Sequence, residues 1–393
     1  VAANSAVAAN TVKVGITTDQ AAAIEANTAK VSGATSINGL SDGLVEDNSV
    51  YVGSVPSSTN SAEYNVGLGK NVLSSITTGD RNVGMGYKAL SANTSGVDNT
   101  ALGREALMQN TDGQFNVAIG AGALLTSSSA DQNVAIGYGA MYYNSTGESN
   151  VGVGVRALRS NTTGGENTAT GSNALYANTT GERNTATGYQ SLYSNTSADY
   201  NSAFGYKTLT ANTTGIRNVA LGSGALTTNT TGSDNIAIGT NSLFNNTTGI
   251  RNVAQGLSAL GENTTGSDNT AFGTYSLLYN TTGSNNVAVG RHSLFNNTEA
   301  DNNTILGFYA GGIITTGGNN VMVGYVSNPS AADGTNQIAI GYEATGQADN
   351  SVTLGNEDVT AVYMAEDAGA TVYVGGLNLG GTAVTATAAE LNL

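Results

Sequence analysis

One spacing runs through most of this chain: Asn and Gly recur together as N-x-x-x-G at every seventeenth position. The first pair is Asn65 and Gly69, the last in unbroken register is Asn320 and Gly324, and fifteen equal intervals separate the two. A fixed period of this length indicates a repeat protein, in which each unit packs only against its neighbours. The spacing therefore predicts a stack of sixteen equivalent units.

The residues of one unit favour β-structure over helix. The stretch Asn218–Asn235 reads NVALGSGALTTNTTGSDN and contains two short runs, which we expect to be extended, separated by turn residues. A pair of helices needs about 30 residues or more per repeat, and Asn-Thr-Thr-Gly is typical of turns because Gly and Asn tolerate positive φ. We therefore predict an all-β fold, a parallel β-solenoid of 17-residue coils, about 77 Å long at about 4.8 Å per coil.

The pattern within a coil predicts which side chains point inward. The third residue of the coil is usually Ala, as at Ala220, whereas the second and fourth are mostly Val, Ile, Leu, Phe or Thr. Successive strand residues point to opposite faces, and a Leu such as Leu226 recurs four residues after the Gly. We expect the Ala and Leu columns to form the core and the Val/Ile face to be left uncovered. An uncovered apolar strip along a rod predicts self-association into a homotrimeric fibre; if the faces were reversed, the Ala column would be the seam.

Polar columns are expected along the same stack. The Asn residues at the first and twelfth positions of each coil should lie above one another and satisfy their amides between rungs. We assign a structural ladder to Asn161, Asn178, Asn195, Asn212, Asn229 and Asn246. The residue before the repeating Asn alternates in sign, so that opposite charges become neighbours in a parallel stack: Arg217, Asp234, Arg251 and Asp268, with Glu166 and Arg183 one face over.

Aromatic residues also recur at fixed positions. One set follows the steady apolar residue and defines a possible glycan-contacting ridge: Tyr142, Tyr176, Tyr193, Phe244 and Phe295. A second set follows the repeating Gly: Tyr87, Tyr138, Tyr189 and Tyr206. Such rings can lie against sugar rings and leave hydroxyls for hydrogen bonds; the alternative is that they only cover the corners of the coil.

Charge and composition exclude several function classes. The 13 basic and 28 acidic residues give a formal net charge of −15, which repels phosphate backbones and anionic lipid, so we expect no nucleic-acid partner. No apolar run reaches the roughly 18 residues of a membrane helix, so we expect no membrane insertion. The absence of Cys excludes disulfides and thiolate metal sites. We expect no metal and no cofactor; calcium is disfavoured because Asp98, Asp234 and Asp268 share their position with Arg residues on other coils.

The chain also lacks a recognisable catalytic constellation. His292 is the only histidine, in the variable turn after Gly290, and is interpreted as a solvated turn residue. A glycosidase needs two carboxylates about 5 to 9.5 Å apart, and the candidate pairs, interpreted as solvated turns, are Glu262 with Asp268 and Glu299 with Asp301. We therefore expect a protein without enzymatic activity.

The repeat divides the chain into four segments. We expect residues 1–47 to form a neck or stem with a short helix at DQAAAIEA, and residues 48–324 to form the regular solenoid. Residues 325–355 continue it as irregular coils, in which the last spacing shortens from seventeen to fourteen, and residues 356–393 form a β segment that leads to a missing tip or chaperone.

Several strings resemble a known family. NVAIG at Asn116 and Asn133, NIAIG at Asn235 and QIAIGYEATGQADNSVTLG from Gln337 resemble the head repeats of YadA-type trimeric autotransporter adhesins, which have a shorter, fourteen-residue unit. The resemblance, over about residues 48–355, implies a left-handed parallel β-roll and a trimer that binds surfaces. NTAKVSG, SVTLGNEDVTAVYM and TAVTATAAELNL resemble segments of bacteriophage tail fibres and tailspikes.

Together these resemblances imply a virion tail fibre, extracellular, that contacts other tail proteins and a host cell-surface glycan or protein. Two alternatives stay open: the head of an adhesin on a bacterial outer surface, and a tailspike that cleaves polysaccharide.

Overall fold

The structure is a computed structural model that describes residues 43–46, 48–53, 56, 59–362, 377–379 and 382–384. All regular secondary structure in these residues is β, and nineteen parallel strands, β2 to β20, stack in register. The predicted all-β parallel solenoid with a 17-residue coil is confirmed. At about 4.8 Å per step, the eighteen steps make a stack of about 86 Å. The predicted neck helix and most of the predicted C-terminal segment lie outside the described residues.

The strands are short and evenly spaced along the chain. Their bounds are β1 Gly43–Glu46, β2 Ser49–Val52, β3 Val66–Leu68, β4 Val83–Met85, β5 Thr100–Leu102, β6 Val117–Ile119, β7 Val134–Ile136, β8 Val151–Val153, β9 Thr168–Thr170, β10 Thr185–Thr187, β11 Ser202–Phe204, β12 Val219–Leu221, β13 Ile236–Ile238, β14 Val253–Gln255, β15 Thr270–Phe272, β16 Val287–Val289, β17 Thr304–Leu306, β18 Val321–Val323, β19 Ile338–Ile340, β20 Val352–Leu354, β21 Leu377–Leu379 and β22 Thr382–Val384.

Both ends of the stack depart from the regular coil. At the start, β1 pairs antiparallel with β2 through a tight turn, and β2 pairs parallel with β3. At the other end, β20 pairs with β19 across a shortened coil, in which Ile338 lies beside Val352 although they are only fourteen positions apart. β21 and β22 form a separate antiparallel hairpin.

Each regular coil is numbered below from its buried Asn as position 1 to position 17. Positions 2 to 4 form the strand, and position 5 is a Gly that stacks on the Gly of the next coil. At Gly171 the backbone has φ 135°, and a Cβ would lie 2.6 Å from the carbonyl oxygen of Gly188. Any larger residue would therefore push two coils apart.

The second apolar run of the coil, predicted to be extended, is a series of turns instead. In the coil that starts at Asn167, Asn173 at position 7 and Leu175 at position 9 have φ of 57° and 50°, and Arg183 at position 17 has 56°. These left-handed residues bend the chain and interrupt an extended run. The run still bonds to its neighbour, because Leu175 N donates to Ser191 O at 3.0 Å.

The core is a thin column filled by positions 3, 8 and 9. The Ala at position 3 and the Leu at position 9, such as Ala220 and Leu226, have no exposed surface and belong to one cluster. The predicted inward Ala and Leu columns are therefore confirmed. Because interiors are closely packed, a change in one column requires a change in the other.

Two neighbouring coils show this compensation. Position 3 enlarges to Ile305 and Met322 where position 9 loses its Leu to Gly311 and Asn328. A Cβ on Gly311 would lie 3.1 Å from Cδ1 of Ile305, so the Ile side chain occupies the space that Leu fills elsewhere. The core thus keeps its volume although its residues change.

Candidate functional site

The predicted structural ladder lies inside the coil. Its six members, Asn161, Asn178, Asn195, Asn212, Asn229 and Asn246, are all fully buried at position 12. Each side-chain nitrogen donates to the side-chain oxygen one coil earlier, for example Asn178 Nδ2 to Asn161 Oδ1 at 2.8 Å. It also donates to the carbonyl at position 15, as Asn178 does to Gly181 O at 2.9 Å. The ladder therefore ties each turn to its own coil and to the next one.

A second ladder runs at position 1 and ends at the same carbonyl groups. Asn184 N and Nδ2 both donate to Asn167 Oδ1, at 3.0 and 3.1 Å, and Nδ2 also donates to Ala198 O at 2.8 Å. Asn195 of the position-12 column donates to the same Ala198 O at 3.0 Å. Two buried amides thus share one turn carbonyl, which explains why Asn occupies both positions: it supplies a donor and an acceptor at one short side chain.

The five residues of the predicted aromatic ridge do not form one continuous surface. Tyr176 and Tyr193 stack with ring centroids 5.1 Å apart, and Arg159, at position 10 of the preceding coil, lies between Tyr142 and Tyr176. Its Cζ is 5.5 Å from the Tyr142 centroid, and Nη1 donates to the Tyr176 hydroxyl at 3.1 Å. Thr210 and Thr227 hold the same position on the next two coils. The structure therefore brings Tyr142, Tyr176 and Tyr193 together. Phe244 and Phe295 lie apart from them, each three coils after the preceding aromatic residue at position 10.

Phe295 belongs instead to an aromatic cluster near the end of the stack, which the sequence analysis missed. Its rings come from positions 6, 7, 10 and 11 of neighbouring coils: Tyr275, Tyr279, His292, Phe295, Phe308, Tyr309, Tyr325 and Tyr342. Residues one or more coils apart in sequence meet here. The signal available in the sequence was the density of aromatic residues between 275 and 342.

His292 lies in this cluster, in a turn as predicted, but it is only partly solvated. It is half-buried, stacks on Tyr275 with centroids 5.4 Å apart, and meets the ring of Phe295 edge-on at 4.9 Å. Burial, with a smaller contribution from Arg291, lowers the pKa of His292 below its ordinary value. The imidazole therefore packs as one more ring of the cluster.

The second aromatic set, at position 6, is exposed along the rod. Tyr138 and Tyr206 are 55% and 52% exposed. Tyr189 and Tyr206 stack with centroids 5.6 Å apart, so neighbouring rings cover part of each other's faces. The ring of Tyr138 has no stacked aromatic neighbour at position 6, because the residues on either side of it there are Ala121 and Val155.

The strand face opposite the core forms a long apolar strip. It is made by positions 2 and 4, which are exposed or half-exposed on every regular strand; Val219 and Leu221 of β12 are 38% and 48% exposed. Large apolar side chains continue along it: Leu68, Met85, Ile136, Phe204, Ile236, Phe272, Val287, Leu306 and Ile340. On β9 and β10 positions 2 and 4 are all Thr, which divides the strip into two apolar stretches. Exposed apolar stretches of this length are unusual on a soluble monomer and mark an interaction surface.

The charged column pairs across coils as the alternation in sign predicts. Arg217 Nε lies 2.6 Å from Asp234 Oδ1, and Arg251 Nε lies 2.6 Å from Asp268 Oδ1. The hydrogen bond from Arg217 holds the pKa of Asp234 below its usual value. Glu166 and Arg183, which were expected one face over, occupy the same position-17 column and pair at 2.9 Å. These pairs are solvent-exposed, so each contributes little to stability.

The carboxylates considered for glycoside cleavage have other partners. Glu262 accepts a hydrogen bond from Asn245 Nδ2 at 2.6 Å, Asp268 pairs with Arg251, and Asp301 accepts from Ser284 N at 2.6 Å. Glu299, the partner considered for Asp301, lies in the position-14 turn and is exposed. Each of these three carboxylates bonds to a residue on a neighbouring coil.

The residues that the structure describes offer neither a metal-binding cluster nor a membrane-spanning helix. No group of three or more His, Asp or Glu side chains is placed to hold a metal ion, and no helix is long and apolar enough to cross a membrane. Neither a protein-family model nor a curated protein matches this chain.

Proposed function

We propose that this chain is the shaft of a homotrimeric attachment fibre, a bacteriophage tail fibre, which joins other virion tail proteins and carries contacts to a host cell-surface glycan or protein. The observation that carries the proposal is the apolar strip of positions 2 and 4. It extends along the rod from Val66 to Leu354, with Thr in place of apolar residues on β9 and β10, while the opposite strand face is already occupied by the core.

Three copies would remove this strip from water. A rod offers one strip per chain, and burial of apolar surface contributes roughly 25 cal/mol per Å², so a seam repeated over many coils adds up to a strong association. The polar turns and paired charges on the other sides of the coil would stay in solvent. A long polar rod with an apolar seam suits a spacer between a virion and a cell.

A second candidate is the head of a bacterial trimeric adhesin. The strand N-V-A-I-G with its Ala inward, seen at Val117–Ile119 and Val134–Ile136, supports it. Both candidates use the same seam, and they differ in what the chain is attached to. The gene neighbourhood separates them: adjacent tail genes support the fibre, and an outer-membrane anchor in the same gene supports the adhesin.

The mass of the folded protein in solution tests the seam. Light scattering is expected to give three times 39.4 kDa, with the hydrodynamic radius of a rod. Replacing Ile236 and Ile238 by Glu is expected to weaken or dissociate the trimer without loss of β-structure, because both side chains point away from the core. The matched control is Thr248→Glu, an exposed turn residue on the same coil. A monomeric wild-type rod would refute the proposal.

Attachment is tested with fluorescently labelled fibre on intact bacteria. The trimer is expected to bind a panel strain in a saturable manner and to compete with phage adsorption to that strain. A trimer that binds no host of the phage would leave only the shaft role and refute direct contact by this segment.

A further inference from the structure

One flank of the rod has a gap in its columns of side chains. On the coils that start at Asn99, Asn116 and Asn133, position 6 is Arg104, Ala121 and Tyr138, so a small residue stands between two large ones. Position 7 is Gly at both Gly122 and Gly139. Large side chains are therefore absent at adjoining positions 6 and 7, and the resulting gap is bordered by large side chains.

The gap is a cleft with a volume of about 200 Å³. Its rim is formed by Arg104, Glu105, Tyr138, Tyr142 and Arg159. A Cβ on Gly122 would lie 3.2 Å from Cε2 of Tyr142, so the missing side chain is what allows that ring to lie along the floor. Gly224 is a third glycine at position 7, whereas other coils carry larger residues there, such as Lys207 and Tyr275.

The dimensions match one sugar ring. Arg104 and Tyr138 are two coils apart, roughly 9.6 Å at about 4.8 Å per coil, with only the methyl group of Ala121 between them at position 6. A pyranose placed there would stack on the face of Tyr138 at ordinary contact distance, as sugars do on aromatic rings. In the stack of Tyr189 and Tyr206, the equivalent space is already filled by a second ring.

The charges around the cleft are unlike those of the whole chain. Arg104 is paired with Glu105, Nη1 to Oε2 at 2.5 Å, which leaves Arg159 and the nearby Arg156 as local positive charge. Arg156 Cγ would lie 3.9 Å from a Cβ on Gly139. The net charge of the chain is −15, so a local excess of guanidinium groups selects an anionic ligand, and guanidinium groups bind carboxylates with directed hydrogen bonds.

We propose that this cleft binds one acidic sugar residue, a uronic-acid unit of a surface polysaccharide, with its ring on Tyr138 and its carboxylate toward Arg159. The proposal rests on the attachment function above and specifies its ligand class and location. The apolar seam uses positions 2 and 4, whereas the cleft opens at positions 6, 7 and 10 of the same coils. In a trimer the fibre would carry three such clefts.

Saturation-transfer NMR on the intact fibre tests it, with methyl glucuronide as the probe and methyl glucoside as its neutral match. The wild type is expected to give signal from the glucuronide at millimolar concentration and several-fold less from the glucoside. Ala121→Tyr is expected to abolish the signal, because a second ring would fill the cleft. Such a ring is compatible with the coil, since Tyr325 and Tyr342 stack at the same position.

Ser223→Tyr, which adds a ring at position 6 beside Tyr206 and away from the cleft, is the matched control and should keep the wild-type signal. Arg159→Gln is expected to reduce the glucuronide signal to the level of the glucoside. Equal signals from the two probes on the wild type would overturn the assignment to an acidic sugar. No glucuronide signal, or an unchanged one in Ala121→Tyr, would overturn the cleft. Cell binding that persists in Ala121→Tyr would leave the attachment function standing without it.

Discussion

The position-12 ladder has a natural break that offers a test of what the ladder contributes. On the coil that starts at Asn116, position 12 is Ser127, fully buried between Asn110 and Asn144 on the neighbouring coils. Ser127 is too short to reach either amide. Among the described residues, neither Asn110 Oδ1 nor Ser127 Oγ has a hydrogen-bond partner. Beyond the break, Asn144 Nδ2 donates to Gly147 O at 2.8 Å.

Replacing Ser127 by Asn should close the break. The new amide would donate to Asn110 Oδ1 and accept from Asn144, and the Ala at position 15 is no obstacle, because Asn195 already coexists with Ala198. An orphaned buried acceptor costs about 1 to 3 kcal/mol and a new bond contributes about 1 kcal/mol, while ordering a longer side chain costs up to about 1 kcal/mol. The net expected gain is about 2 kcal/mol of local stability.

Hydrogen exchange on the intact fibre measures this gain coil by coil. The reporters are the amide of Ser128, which donates to Ser145 O at 3.2 Å, and that of Thr111, which donates to Ser128 O at 2.8 Å. A gain of about 2 kcal/mol slows exchange through local opening about 30-fold. Ser129→Asn, on an exposed position of the same turn, should change nothing. Unchanged or faster exchange in Ser127→Asn would refute the idea that the rungs stabilise the coil.

Three further predictions follow from the core, the charges and the expected absence of catalysis. Ile305→Ala should lower the free energy of unfolding by about 2 to 5 kcal/mol, and adding Gly311→Leu should recover most of that loss by restoring the usual Ala and Leu pair. Thermal unfolding of both variants measures this recovery. If the effects of the two substitutions simply added, the prediction would be wrong. Because Arg217 lowers the pKa of Asp234, the pair stabilises the fold above the ordinary Asp pKa and loses that effect as pH falls through the lowered one. The difference in Tm between wild type and Asp234→Asn should therefore shrink from about pH 6 to about pH 2, and a pH-independent difference would contradict it. Incubation with host capsule should release no reducing ends, and their release would favour the polysaccharide-cleaving tailspike.

The repeat made the coil predictable, because a single register constrains every position at once. Once the period of Asn and Gly is known, alternation assigns Ala220 to the core and Val219 to the outside without any knowledge of the turns. The same register predicted that Arg217 and Asp234 would meet. These predictions depend on the period and the alternation, both of which can be read directly.

The turns were not predictable in the same way. Leu favours negative φ in a free chain, so nothing in the sequence indicates that Leu175 adopts a φ of 50°. The conformational cost of this positive φ is offset by burial of the Leu side chain in the core column. The column of ridge residues is interrupted for a different reason. Tyr193 and Phe244 share a position, but aromatic contacts need adjacent coils, and Thr210 and Thr227 intervene. The packing of His292 was not predicted because three of its ring partners, Tyr275, Phe308 and Tyr309, lie on neighbouring coils.

The two Asn ladders also give the rod a direction. Backbone bonds between coils point both ways, since Val219 N donates forward to Asn235 O while Gly222 N donates back to Phe204 O. The bonds between side-chain amides do not alternate: in both columns they run from a nitrogen to the oxygen one coil nearer the N-terminal end. Their dipoles add over the length of the stack. The shaft is therefore electrically polar along its axis. Removal of a coil from the C-terminal end would expose amide oxygens as unpaired acceptors, whereas removal from the N-terminal end would expose amide nitrogens as unpaired donors.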